Sequence, residues 1–254
     1  MNILSRKTIL LILIPVLLLW NGASCARFKT APPPPGVPEN SIHDRKTGLW
    51  SNVSPEGTYR LFYRDGVLGM SGRIVGNLRE GLWRQFGMDG KVVTTEGLFL
   101  NDWKEGIWKY YDSEGRLYLE MRYAQSPRRE FGFIFTHDYG NENGAYRLYF
   151  PNGKLEEEGN FTSGYYEGPM NRYFLNGKKA AEGSYHLDNR NGVWRFYYPE
   201  GNLEREETYR DGLLEGPFHS FYPNGNPYVE TRYSGGKNIG PQKIHPPVRQ
   251  NPAT

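Results

Sequence analysis

The stretch GVWRFYYPEGNLEREETYRDGLLEG, residues 192–216, decides the fold because it is one copy of a unit that recurs along the chain. Seven glycines open a copy, and they follow one another at steps of 24 or 25 residues except for the 38 residues from the third to the fourth: Gly57, Gly81, Gly106, Gly144, Gly168, Gly192 and Gly216. A step of 24 residues leads on from Gly216 to Gly240. A period of this length is typical of an array of small structural modules.

Three columns of residues support the repeat when its first glycine is counted as position one. Position ten is glycine in all seven copies, and position three is aromatic in all copies except the one with Met170. Position six is always aromatic: Phe62, Phe86, Tyr111, Tyr149, Tyr173, Tyr197 and Phe221. Strand-forming residues bounded by glycine at short intervals predict an all-β fold. We therefore expect an elongated antiparallel meander of about seven 24-residue β-hairpins.

Turn residues at positions eight to ten, such as Pro151-Asn152-Gly153, predict a two-residue hairpin turn in which both residues have positive φ. This turn places position four opposite position fifteen. The predicted pairs are Lys109–Glu120, Arg147–Glu158, Arg195–Glu206 and His219–Glu230. The first two copies have Ser71 and Thr95 at position fifteen instead of an acid. The same alignment sets Trp194 opposite Glu207, Tyr146 opposite Gly159 and Met170 opposite Gly183.

Alternation along the strands then assigns residues to the two faces of the sheet. Positions three, seven, twelve and eighteen share the expected core face, for example Trp194, Tyr198, Leu203 and Tyr209. The other face carries position six beside the position four and fifteen column and should be partly solvated. A bulge between positions three and six would instead put both aromatic columns on one side.

Composition limits the chemistry of this chain. The net charge is +3, and basic and acidic residues are interleaved, which argues against nucleic acid as a partner. Cys25 is the sole cysteine, so the body of the chain can form no disulfide and no cysteine-ligated metal site. We expect neither a cofactor nor a metal ion.

The order Gly-x-Trp-x-x-Tyr-Tyr-x-Asn-Gly-x-Leu-x-x-Glu-x-x-Tyr-x-x-Gly-x-x-x-Gly is clearest in residues 144–240 and resembles the bacterial variant of the MORN repeat. The resemblance covers about residues 48–240. It implies a β-hairpin array that contacts proteins or membrane lipids and has no catalytic residue. Members of this family are sometimes labelled as antitoxins, a cytosolic role that disagrees with the export signal described next. The Tyr-x-Gly that precedes the Trp strand in eukaryotic members is absent, which weakens the case for lipid binding.

The N-terminus predicts export. Arg6 and Lys7 precede an apolar run, Ile9 to Trp20, which is too short to span a bilayer comfortably but suits a signal peptide over residues 1–24. Small residues before Cys25 resemble a lipobox, so Cys25 is the predicted lipidation site. With Ala26 next, we expect an outer-membrane lipoprotein that faces the periplasm or the cell surface. Cleavage after Ala26 or an uncleaved anchor are the alternatives.

The remaining segments complete the predicted organisation. Residues 25–47 form a lipidated N-terminus and a Pro-rich linker, residues 48–240 form the repeat domain, and residues 241–254 form a disordered tail. Gly48-Leu49-Trp50 looks like the opening of a truncated, capping repeat. About fourteen residues, 130–143, break the period. We interpret them as an extra half-hairpin, and His137 beside Asp138 as an exposed residue without a metal or catalytic partner.

Three functions remain open. The first is a non-catalytic, membrane-anchored envelope protein that binds another protein, and the second is a carbohydrate or cell-wall binding module that stacks sugars on aromatic columns. The third, a glycoside hydrolase using aligned carboxylates, is disfavoured because such carboxylates need distinct environments. The candidate binding surface consists of Arg147, Tyr149, Glu158, Tyr173, Glu182, Arg195, Tyr197, Glu206, Phe221 and Glu230.

Overall fold

The computed structural model describes residues 32–124 and 142–247. Regular structure within these two stretches consists of 19 β-strands. Their bounds are β1 Ile42–Asp44, β2 Leu49–Val53, β3 Thr58–Phe62, β4 Leu68–Val75, β5 Leu78–Phe86, β6 Val93–Leu100, β7 Trp103–Tyr111, β8 Leu117–Tyr123, β9 Glu142–Tyr149, β10 Leu155–Thr162, β11 Tyr165–Tyr166, β12 Gly168–Tyr173, β13 Lys179–His186, β14 Asn189–Tyr197, β15 Leu203–Arg210, β16 Leu213–Phe221, β17 Pro227–Ser234, β18 Lys237–Asn238 and β19 Lys243–Ile244. No helix in the described stretches is both long and apolar enough to cross a bilayer.

The strands form one open antiparallel sheet in which each strand pairs with the next along the chain. Strand β11 extends β12 along β10, and β18 and β19 both lie against β17. The repeats correspond to seven hairpins: β3–β4, β5–β6, β7–β8, β9–β10, β12–β13, β14–β15 and β16–β17. The predicted all-β hairpin meander is therefore confirmed.

The predicted turn type within the hairpins is wrong. At Pro151-Asn152-Gly153 the amide of Gly153 donates to the carbonyl of Phe150, and the amide of Phe150 donates to the carbonyl of Lys154. Only Gly153, with a φ of 80°, is left-handed there. This is a three-residue loop whose last residue is a glycine in the left-handed conformation, which explains glycine at position ten.

The predicted pairing of position four with position fifteen is nevertheless confirmed for Lys109–Glu120, Arg147–Glu158, Arg195–Glu206 and His219–Glu230. The loop is one residue longer than predicted, and a β-bulge in the returning strand, between Leu155 and Glu157 for example, restores the expected alignment.

One pair differs from the sequence prediction. Arg84 faces Glu96, and Thr95 faces Gln85. The loop of this hairpin runs from Met88 to Lys91 and is one residue longer than the others, so the acid at its position fifteen is displaced by one. The second copy therefore has its acid, and only the first copy has Ser71 there.

Two-residue turns with both residues at positive φ do occur, but they connect successive hairpins. Examples are Asn101-Asp102, Leu187-Asp188 and Asp211-Gly212. The repeat glycine at position one, such as Gly192 with a φ of 79°, lies next to a β-bulge between hairpins.

The core face is lined by the position-three column, in which Trp83, Trp108, Tyr146, Met170 and Trp194 are buried. Aromatic rings from positions five and eighteen pack beside it, for example Phe196 and Tyr209 on Trp194. The strand continues from Trp194 to Tyr197 without interruption, so these two side chains point to opposite faces. The alternative in which both aromatic columns share one face does not occur.

Position twelve was assigned to the wrong face. Leu203 lies directly opposite Tyr197, and Leu155 lies directly opposite Tyr149. Residues directly opposite one another share a face. The bulge in the returning strand adds one residue and moves position twelve from the core face to the position-six face. Tyr198, at position seven, begins the turn and donates its hydroxyl to the carbonyl of Phe221.

Successive hairpins lock together through a repeated Trp–Gly contact. The ring of Trp194 lies over Gly183 of the preceding hairpin, where any side chain would overlap it. Its indole N–H donates to the carbonyl of Ser184 at 3.1 Å. Trp83 and Trp108 repeat this arrangement over Gly72 and Gly97. The sequence predicted that Gly183 leaves space for Met170, which faces it. That space is occupied by Trp194 of the next hairpin.

The sheet extends beyond residues 48–240 at both ends. Strand β1 lies within the predicted linker, and Val37 packs with Trp50 and Phe62. Strand β19 lies within the predicted tail and pairs with β17. Several predicted features lie outside the described residues: the signal peptide, Cys25, residues 130–141 of the predicted insertion with His137 and Asp138, and residues 248–254. Glu142 and Asn143 begin β9.

Candidate functional site

A single row of polar residues crosses the sheet on the face opposite the Trp column, and we call it the charge row. Each member lies directly opposite the next: Arg60, Ser71, Arg84, Glu96, Lys109, Glu120, Arg147, Glu158, Asn171, Glu182, Arg195, Glu206, His219, Glu230 and Lys243. Bases and acids alternate along most of it. Opposite charges on facing residues stabilise a sheet, so the row reinforces the alignment of the strands that it crosses.

Ion pairs form along the charge row within hairpins. Arg195 Nε is 2.8 Å from Glu206 Oε2, Arg84 Nε is 3.1 Å from Glu96 Oε2, and the corresponding distance from Arg147 to Glu158 is 3.8 Å. These arginine side chains keep about half of their surface in solvent, with 46% for Arg195 and 51% for Arg147. Exposed pairs of this kind contribute about 0–1 kcal/mol each.

The position-six tyrosines connect each hairpin to the one before it. Tyr197 donates its hydroxyl to Glu182 Oε1 at 2.6 Å, and Tyr173 donates to Glu158 Oε1 at 2.9 Å. Tyr149 and Tyr111 donate likewise to Glu120 and Glu96. Because each hydroxyl reaches the neighbouring strand, the phenol ring lies along the sheet surface. Phe221 has no hydroxyl to offer to Glu206.

These contacts shift the ionisation of the groups concerned. Hydrogen bonds from Lys179 and Tyr197 lower the pKa of Glu182. Burial, together with the hydrogen bond to the Glu182 carboxylate, raises the pKa of Tyr197 to about 12. Burial and the hydrogen bond to Glu96 raise the pKa of Tyr111 to about the same value. Near pH 7, Glu182 is therefore ionised and Tyr197 is neutral.

All ten predicted surface residues lie on this face, in the charge row or in the position-six column beside it. The sequence predicted the pairs within a hairpin but missed the pairs between hairpins, such as Glu182–Arg195. It also missed the tyrosine–glutamate bonds. The signal was available in principle, because most pairs of position fifteen with position four of the next copy recur at the same separation, and Glu120–Arg147 is the exception.

A second polar set lies on the core face, and the sequence analysis did not identify it. Glu157 is buried and accepts hydrogen bonds from Tyr146 at 2.7 Å and from Arg172. The buried Glu207 accepts from Arg205 and Tyr209. Each buried carboxylate thus has a charged partner, as a buried charge requires.

Basic side chains cover the buried rings of the same face. The Arg190 guanidinium lies 4.5 Å from the Trp194 ring, and Lys104 Nζ lies 4.7 Å from the Trp108 ring. Both precede the repeat glycine by two residues, which is the sequence signal for this contact. The buried rings of Trp108 and Trp194 are consequently shielded from a ligand.

No cluster of three or more potential ligand side chains that could hold a metal ion occurs within residues 32–124 and 142–247.

Comparison with known proteins identifies the repeat type. Four segments match the family described as "MORN repeat variant": residues 104–125, 142–162, 190–211 and 214–234. They coincide with the hairpins β7–β8, β9–β10, β14–β15 and β16–β17. These hairpins are therefore MORN-type repeats.

Among solved structures, the chain is similar to a chain of "Crystal Structure of TcdB2-TccC3-Cdc42", with 13% identity and a TM-score of 0.22. The match covers 77% of this chain and 12% of that one. No curated protein matches the sequence.

Proposed function

We propose that this MORN-repeat protein is a non-catalytic, membrane-anchored scaffold of the bacterial cell envelope that binds another protein through the face carrying the charge row. The observation that carries the proposal is that this row runs unbroken from Arg60 to Lys243 across all seven hairpins. Such a surface offers many equivalent contacts to an extended partner. MORN repeats in general take part in protein or membrane interactions, which is compatible with this role.

The environment of the carboxylates supports a role without catalysis. Glu96, Glu120, Glu158 and Glu182 share one arrangement, in which each accepts the tyrosine hydroxyl of the next hairpin. Glycoside hydrolysis needs two carboxyl groups in different environments, one of them kept protonated. A lowered pKa at Glu182 is the opposite of what a general acid requires.

Partner binding can be tested with the exposed arginines of the row. Arg147→Ala combined with Arg195→Ala removes two side chains at the solvent surface. Crosslinking in intact cells should attach a partner protein to the wild type, and we expect the double variant to capture at least tenfold less of that partner. Arg116→Ala is the matched control, since its side chain is 45% exposed but lies in a turn outside the row. Equal crosslinking by all three proteins would remove the proposed surface.

Folding must be monitored in parallel. Because the two arginines form exposed ion pairs, their loss should cost no more than about 2 kcal/mol in total. Far-ultraviolet circular dichroism and thermal unfolding of the double variant should therefore resemble those of the Arg116→Ala control.

Membrane anchoring through Cys25 is a separate part of the proposal. It rests on the apolar run Ile9–Trp20 and on the small residues before Cys25. Labelling cells with a radioactive fatty acid should mark the wild type and not Cys25→Ser. Globomycin should also make the unprocessed precursor accumulate. Unlabelled wild-type protein with unchanged mobility would leave cleavage after Ala26 or an uncleaved anchor as the explanation.

A carbohydrate or cell-wall ligand is the second candidate, favoured by the flat, partly exposed rings of Tyr149, Tyr173 and Tyr197, which recur once per repeat. Trp50, Trp83, Trp108 and Trp194 cannot serve as sugar platforms because they are buried. On a glycan array, sugar binding that persists in Tyr197→Phe and disappears in Tyr197→Ala would favour this candidate, since only the second variant loses the ring.

A further inference from the structure

The residues after β17 continue the repeat past its last complete copy. Gly240 follows Gly216 by one period, so Lys243 and His245 stand at positions four and six of an eighth copy. Lys243 lies directly opposite Glu230 of β17, just as Arg195 lies opposite Glu182 of the hairpin before it.

Side-chain contacts follow the same pattern. Lys243 Nζ is 3.7 Å from Glu230 Oε2, and His245 Nε2 is 3.2 Å from Glu230 Oε1, where a complete copy places its tyrosine hydroxyl. The Tyr222 hydroxyl donates to the carbonyl of His245, as that of Tyr198 does to the carbonyl of Phe221. Residues 237–245 are thus the first strand of an eighth repeat.

The outer edge of this strand is poorly suited to further pairing. Pro241, Pro246 and Pro247 have no amide hydrogen. The amide of His245 points inward to the carbonyl of Tyr228, so alternation leaves only Gln242 and Ile244 to donate outward within residues 241–247. The Lys243 side chain is 67% exposed on this edge. Proline and lysine at an edge strand are recognised devices against unwanted strand pairing.

The edge of β17 that this strand covers is, in contrast, well suited to pairing with another strand. Antiparallel pairing of two β17 strands centred on Thr231 would set Glu230 of each copy opposite Arg232 of the other. We propose that residues 237–247 cap the array by covering this edge, and that the uncovered edge pairs with the β17 strand of a second copy of this chain. This proposal does not require a partner bound on the charge row, although Glu230 and Lys243 are the last two members of that row.

The experiment undocks the cap by charge reversal in the full chain. Lys243→Glu places a carboxylate against Glu230, and we expect the amide of His245, measured by hydrogen exchange, to exchange at least tenfold faster. Sedimentation should then show a concentration-dependent dimer that the wild type does not form. Lys91→Glu is the control, since it makes the same charge change at an exposed turn.

A double variant makes the result specific. Glu230→Lys together with Lys243→Glu restores opposite charges, and it should restore slow exchange at His245. Unchanged exchange in Lys243→Glu would overturn the docking assignment. Fast exchange in a protein that stays monomeric at all concentrations would overturn the assignment of β17 as a pairing edge.

Discussion

Leu187 is the one bulky apolar residue at positive φ among the turns of the described residues, with a φ of 47°. An L-residue with a Cβ in the left-handed region costs about 1–2 kcal/mol, and asparagine tolerates that region better. Leu187 is also 52% exposed, so its side chain contributes little burial. We therefore predict that Leu187→Asn raises the free energy of unfolding by about 1 kcal/mol, measured by urea denaturation.

Leu213→Asn is the matched control for this prediction. Leu213 is 55% exposed and lies in β16, outside the residues at positive φ. The same substitution there should give no gain in stability. An equal gain at both positions would show that loss of an exposed leucine, and not relief of backbone strain, is responsible.

The Tyr197–Glu182 bond predicts a dependence of stability on pH. An unfolded tyrosine has a pKa of about 10, and the folded value of Tyr197 is about 12. Because the folded pKa is the higher one, the stabilisation is complete below pH 10 and is lost as the pH rises from about 10 to about 12. The difference in unfolding free energy between the wild type and Tyr197→Phe should therefore shrink over this interval.

Absorbance gives an independent measurement of the same group. The difference between the tyrosinate titrations of the wild type and Tyr197→Phe isolates one phenol, and its midpoint should lie near pH 12. A midpoint near pH 10 would mean that the hydroxyl does not donate to Glu182 in solution.

Hairpin loops explain why the pairing of the strands survives changes in loop length. Loop 88–91 has one residue more than the other loops, yet Arg84 still faces an acid because the acid is displaced with it. Deleting Lys91 should convert this loop to the three-residue form and change the unfolding free energy by less than about 0.5 kcal/mol, as for an ordinary surface change.

Deletion of Glu200 provides the comparison. Its loop, Pro199-Glu200-Gly201, has the standard three residues, and a shorter loop cannot keep Gly201 in its left-handed conformation while the bulge is retained. We expect this deletion to destabilise the protein by more than about 1 kcal/mol. Similar thermal unfolding of the two deletion variants would contradict the loop assignment.

At this scale the sequence predicted strand pairing better than turn geometry. Charge pairs such as Arg195–Glu206 identified the register of the two strands in a hairpin. They did so because opposite charges show which residues face one another, whatever the type of turn. Asn-Gly sequences occur in both two-residue and three-residue turns, so they could not identify the turn. The bulge that moves Leu203 to the position-six face requires no particular residue type. It therefore leaves no recognisable pattern in the sequence.

Across the whole molecule, the hairpins depend on their neighbours more than the repeat pattern alone suggested. Trp194 covers Gly183 of one neighbour, and Tyr197 bonds to Glu182 of the same neighbour. Both contacts cross a boundary between repeats, so comparison of columns within one copy could not reveal them. The candidate surface residues were found from the sequence, but their continuity as one row follows only from pairing between hairpins.

Such coupling predicts that an added repeat increases stability. A second copy of residues 168–191 inserted after Asn191 would place its own Glu182 opposite Arg195 and its own Gly183 beneath Trp194, in the register that the original Glu182 and Gly183 now occupy. The insertion thus adds one hairpin and one interface between neighbours, and stability in such arrays is approximately a sum of these two contributions.

For a chain of this size each additional kcal/mol raises the melting temperature by roughly 2–4 °C. We expect a rise of at least that size when thermal unfolding is followed by circular dichroism. An insert of identical composition with its glycine positions permuted is the control and should lower the melting temperature, because Trp194 would then meet a side chain in place of Gly183. If both inserts lower it equally, coupling between neighbouring hairpins does not stabilise this array.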